Sequence, residues 1–82
     1  MTPVQEFHKA CRLILSERGK PALNYAVGYA HAGLAMRDAE EARVQCLYIL
    51  GNITGWRGEL ANEVRQSLKR LAKPGAWEVA DA

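Results

Sequence analysis

"GNITGWRGELANEV", residues 51–64, decides how the chain is read. Gly51, Gly55 and Gly58 fall here together with Trp56 and Arg57. The stretch is either a loop that holds something or a turn between two helices. Its flanks carry helical periodicity on both sides, and glycines at a helix junction usually serve the turn. Gly51 or Gly55 can end the preceding helix in a left-handed conformation. Ile53 and Trp56 can then pack back under the turn. Gly58 can act as a permissive N-cap, with Glu59 in the first turn beyond it. Arg57, beside a large ring, is left without a role. A stacked Trp56–Arg57 pair would be either a clamp on the turn or a presented contact. The direction of Trp56 separates the two.

Downstream, Leu60, Val64, Leu68 and Leu71 make an amphipathic stripe with Ala61 beside it. Glu59 and Glu63 near the start and Lys69, Arg70 and Lys73 near the end suit the helix dipole, and Pro74-Gly75 stops the helix. Upstream, Asp38 and Glu41 form a capping box for a third helix. Ala42, Cys46, Ile49 and Ile53 make one row of it; Val44, Leu47 and Leu50 make another. A helix apolar nearly all round is central or has a second partner.

The second helix reads "PALNYAVGYAHAGLAM", residues 21–36, opened by Pro21. Ala22, Ala26, Ala30 and Gly33 form a small-residue stripe that admits a neighbouring backbone. Tyr25, Tyr29, Ala32 and Met36 form a second stripe. Gly28 and Gly33 each cost about 1 kcal/mol relative to alanine, which tight packing would offset. The first helix starts at a Thr2-Pro3-x-Gln5 capping box. It buries Val4, Phe7, Cys11 and Ile14, flanked by Ala10 and Leu13. Gly19 is expected to close it as a left-handed C-cap. The expectation is an all-α chain, a small up-down antiparallel four-helix bundle over residues 1–82. An irregular four-helix array is the alternative. The tail 74–82 is expected to be poorly ordered unless Trp77 docks.

Eighty-two residues make one small domain with a thin core, which favours self-association. A net charge of +2 does not by itself imply nucleic-acid binding. Cys11 and Cys46 lie inside apolar helical patterns and read as reduced, packed thiols. No apolar run approaches the roughly 20 residues that span a bilayer, and "MTPVQEFHKACR" carries no apolar signal region. A cytoplasmic protein without a membrane partner is expected. Asn52-Ile53-Thr54 matches a glycosylation sequon, a chance match in such a chain.

Four kinds of site come into question. His8 and Cys11 are three apart, and His31 and Cys46 could complete four metal ligands, but zinc sites present their ligands in tight pairs, so no metal or cofactor is expected. No nucleophile–base pattern, metalloprotease motif or phosphate loop is present, so the chain is expected not to be an enzyme. Arg65, Lys69, Arg70 and Lys73 form a basic cluster, and Lys9, Arg12, Arg18 and Lys20 a second. If the first and last helices are neighbours, these could merge into one phosphate-binding face. A solvated helix end is the preferred reading. The aromatic and Met residues Tyr25, Tyr29 and Met36, with Tyr48 nearby and Trp56 and Arg57 at the junction, are types enriched at interfaces.

The runs Arg43-Val44-Gln45 and Leu47-Tyr48-Ile49-Leu50, with Asn52 and Trp56-Arg57-Gly58, resemble small helical proteins encoded by bacteriophages and prophages. The resemblance covers about residues 22 to 71. It implies an accessory role in a phage or its host and carries over no catalytic residue. The expected function is therefore a non-enzymatic, self-associating helical interaction protein. A dimer is expected, and a host or phage protein is a further candidate partner. Tyr25, Tyr29, Met36, Trp56 and Arg57 are the contact candidates. The alternative is a small nucleic-acid-associated protein using Arg65, Lys69, Arg70 and Lys73.

Overall fold

The computed structural model describes residues 1–77. Among these are four α-helices and no strand: α1 (Pro3–Ser16), α2 (Ala26–Gly33), α3 (Ala39–Gly51) and α4 (Glu59–Leu71). A 3-10 turn, Pro21–Leu23, precedes α2.

Local chemistry starts three of the helices as expected. The Thr2 hydroxyl accepts from the Gln5 backbone amide at 3.2 Å, and the Gln5 side-chain Oε1 accepts from the Thr2 backbone amide at 2.9 Å. Asp38 caps α3 by accepting from the Glu41 amide at 3.0 Å, one half of the expected box. Gly58 caps α4 with φ 114°, a backbone only glycine adopts without strain. The second helix departs from expectation. Pro21 opens only the 3-10 turn, which drives Leu23 into the core, and α2 begins at Ala26. The α2 N-cap is Tyr25, whose side chain accepts no first-turn amide, and Gly28 weakens the helix further. An eight-residue helix results where sixteen residues were expected.

The expected left-handed glycines are also corrected. Gly19, Gly51 and Gly55 all keep negative φ; the positive-φ glycines among the described residues are Gly58 and Gly75. Side chains do the capping instead. The Asn52 amide donates to the Tyr48 carbonyl at 2.7 Å. The Arg65 guanidinium donates to the carbonyls of Ile53 at 3.1 Å and Trp56 at 2.7 Å. Carbonyls left over at a helix end need a donor, and a two-pronged arginine supplies it as well as a left-handed turn does.

Cross-contacts give the topology. Glu6 pairs with Arg70, while Ala10 and Leu13 share a groove with Glu63 and Val64, so α1 and α4 run antiparallel. Arg43 reaches Ala72 and Arg65 reaches Ile53, so α3 and α4 are antiparallel too. Tyr29 meets Tyr48 and Ala22 lies beside Gly55, which sets α2 against α3. The order is up-down-up-down, with α1 closing on both α2 and α4.

The core is Phe7, Cys11 and Ile14 from α1, Leu23, Ala26 and Ala30, the row Ala42, Cys46, Ile49 and Ile53, then Trp56, and Ala61, Val64, Leu68 and Leu71 from α4. The small-residue stripe does what its spacing implied. A Cβ at Gly33 would lie 2.8 Å from Cys11 Sγ and 2.9 Å from Phe7 Cζ, so α2 approaches α1 at a distance only glycine permits. The His8 imidazole, 2.7 Å from the Met36 carbonyl, ties the same helices together. Trp77 docks, the condition under which the tail was expected to be held. Its indole donates to the Leu71 carbonyl at 2.8 Å, and its ring meets Phe7 edge-on at 5.9 Å. The remainder of the expected loose tail lies outside the described residues.

Candidate protein-interaction face

Antiparallel packing turns the second apolar row of α3 outward beside α2. Tyr25 is 81% exposed, Tyr29 39%, Leu47 51% and Tyr48 53%. Tyr29 and Tyr48 stack across the two helices, centroids 5.7 Å apart and planes 15° apart. Beneath them, the buried Gln45 amide donates to the Tyr29 carbonyl at 2.8 Å and fixes α2 on α3. The helical spacing Tyr25, Gly28, Tyr29, Ala32 lays one row of the face on α2, and Val44, Leu47, Tyr48, Gly51 lays the other on α3.

The face carries no formal charge. Residues 21–36 and 44–56 contain no Asp, Glu, Lys or Arg, so all of the charged side chains belong to the remaining segments. The Tyr29 and Tyr48 rings use their own stacking to stay in place, which leaves one side of each ring to solvent. A rigid, half-exposed aromatic pair beside a projecting tyrosine is suited to packing against another apolar surface.

The sequence candidates divide. Tyr25 and Tyr29 lie on this face. Met36 does not join them: it is half-buried after α2, its carbonyl held by His8. Trp56 is corrected from contact to core, 2% exposed beneath the turn, because Ile53 and Arg65 hold that turn closed over it. Arg57 next to it is exposed, so the two side chains part. Leu47 and Tyr48 were the residues undervalued from sequence. The signal that could have found them is the charge-free run 44–56, in which Leu47 and Tyr48 are surplus to the core while Leu50 packs against it.

Part of the basic cluster is paired within the fold. Helices α1 and α4 are neighbours, as its premise requires, and their antiparallel order puts the acidic start of α1 beside the basic end of α4. Glu6 pairs with Arg70, and Glu63 lines the same groove as Lys9. Arg65 is spent on the turn carbonyls. Lys69 and Lys73 remain exposed. The other polar end is likewise self-paired: Arg43 binds Glu40 through Nη2 at 2.7 Å and holds the Glu40 carboxyl below its usual range, first by that hydrogen bond.

The metal candidates separate as well. His8 is held by Met36, His31 is exposed on α2, and Cys11 and Cys46 are buried in the core. Among the described residues no three His, Cys, Asp or Glu side chains converge. Burial pushes both thiols up to about 12, and for Cys46 the neighbouring Cys11 adds to it. They are therefore neutral packing groups near neutral pH. No helix among the described residues is long and apolar enough to cross a membrane. An open groove of about 270 Å³ lies between α1 and α4, lined by Ala10, Leu13 and Val64, and a second of about 270 Å³ lies beside Arg43 and Trp77. No protein-family model, curated protein or solved structure matches the chain.

Proposed function

We propose that this chain is a non-enzymatic helical interaction protein, and that the outer face of α2 and α3 is its contact surface. The observation that carries the reading is the exposed, charge-free cluster of Tyr25, Tyr29, Leu47 and Tyr48. Large apolar side chains held rigidly in water are costly to maintain, and their usual use is a partner. Self-association is the first use to test, because so small a domain gains stability by covering apolar surface with another copy. An accessory role in a phage or its host, in the cytoplasm, follows from the resemblance alone.

Sedimentation of the chain over a wide concentration range tests it. The expected result is a mass that rises with concentration for the native chain and stays monomeric for Leu47→Asp, with helical content retained. A strict monomer throughout would count against self-association. Binding of labelled duplex DNA at low salt, lost on charge reversal at Lys69 and Arg70, would replace this reading with the nucleic-acid one.

A further inference from the structure

Gly28 is a residue that the single chain gives no reason for. It lies inside α2 with ordinary helical backbone, on the exposed face between Tyr25 and Tyr29. A Cβ built there meets nothing within 4 Å. Glycine inside a helix is less favourable than alanine, so within one chain alanine would fit and stabilise. Gly33, five residues on, is the opposite case: its Cβ would strike Cys11 and Phe7. Gly51, the last residue of α3, repeats the open condition, three residues after Tyr48. On both helices a bare stretch of backbone follows an exposed tyrosine by one turn.

We propose that a second copy of this chain covers the α2/α3 face about a two-fold axis, with the Tyr25 ring of each copy seated on the backbone left open at Gly28 of the other. The proposal rests on the interaction reading above and names its partner. Two observations choose the second copy. A two-fold contact sets a patch against itself, so any formal charge on it would face its like; this patch has none. A basic or acidic partner would find no counter-charge there. The projecting group, 81% exposed, and the seat also lie on one row of one helix, so a two-fold axis between them satisfies both ends at once. Tyrosine brings a broad, stiff ring at little conformational cost, and a glycine admits that ring to the helix backbone.

The experiment is sedimentation and light scattering of the full chain with the variants Gly28→Ala, Gly28→Gln and Tyr25→Ser. Melting is measured separately at dilution, where each is monomeric. Gly28→Ala is expected to raise the monomer's melting temperature by about 2–8 °C, yet to weaken self-association at least about ten-fold. Gly28→Gln and Tyr25→Ser are expected to leave only monomer. Association abolished by Leu47→Asp but indifferent to both Gly28 variants would overturn the seat and leave the interaction reading standing. A native chain that stays monomeric at every concentration overturns the two-fold contact and self-association with it. Association that falls steeply with added salt overturns the two-fold contact, since it would belong to the charged helices instead.

Discussion

The outer face of α2 and α3 and the outer face of α1 and α4 are built on the same antiparallel plan and obey opposite rules. On α1 and α4 every expected amphipathic signature is present: an apolar stripe inward, charges outward, and the acidic start of one helix beside the basic end of the other. On α2 and α3 the apolar rows exceed what one core can cover. The surplus, Tyr25, Tyr29, Leu47 and Tyr48, stands in water without a charge among it. A charged helix face is at home in solvent and needs no further explanation. An uncharged aromatic face asks for something to cover it, which is why function is placed there.

The comparison breaks if residues assigned to the core behave as surface. Trp56 is the sharpest case. Trp56→Ala is expected to cost about 3–5 kcal/mol, by lost burial and the cavity beneath the turn. That is much of the stability of a domain this size. Urea denaturation measures it, and a loss under about 1 kcal/mol would return Trp56 to the surface.

A pH profile of stability tests the buried thiols next. Cys11 and Cys46 have folded pKa values raised from 9 to about 12. The folded state therefore holds protons that the unfolded chain releases between those values. Their contribution is complete below about pH 9 and is lost as pH rises toward 12. The alkaline fall should flatten in the Cys11→Ala/Cys46→Ala double variant. An unchanged slope would place the thiols in contact with solvent.

Two faces of one short helix supply the third test. Gly33→Ala is expected to destabilise by about 1–3 kcal/mol, since Cys11 and Phe7 would have to move. Gly28→Ala, five residues earlier, should do the reverse. Equal signs at the two glycines would mean that α2 sits in a different rotation. The smallest contrast lies within the basic cluster of α4. Arg65→Ala takes the donor from the Trp56 carbonyl and leaves the Ile53 carbonyl only the Trp56 amide, and should cost about 1–3 kcal/mol. Lys69→Ala, on the exposed side, should stay within about 0.5 kcal/mol. Thermal melts of the pair read the difference.

Where a structural feature depends on neighbours in sequence, it was legible. Thr2 with Gln5, Asp38 with the Glu41 amide, Gly58 before Glu59, and the stripe Leu60, Val64, Leu68, Leu71 each need only residues a turn apart. Even the approach of α2 to α1 could be expected from Ala26, Ala30 and Gly33. The break before α2 was not legible, because Pro21 suits a 3-10 turn and an α-helix equally. Nor was the role of Arg65. In sequence it is one of three basic residues on α4, and only the fold brings two turn carbonyls within its reach.

The sequence by itself determined four helical segments, the starts of α1, α3 and α4, and a core row on each of those three, because capping and periodicity are local. The tertiary structure alone decided which apolar row became core and which became surface. Antiparallel packing buries Ala42, Cys46 and Ile49 and turns Leu47 and Tyr48 outward. It also sends Trp56 in and leaves Arg57 out. A helix apolar on both sides carries no internal mark of which side meets its own chain; only the positions of the other helices supply it.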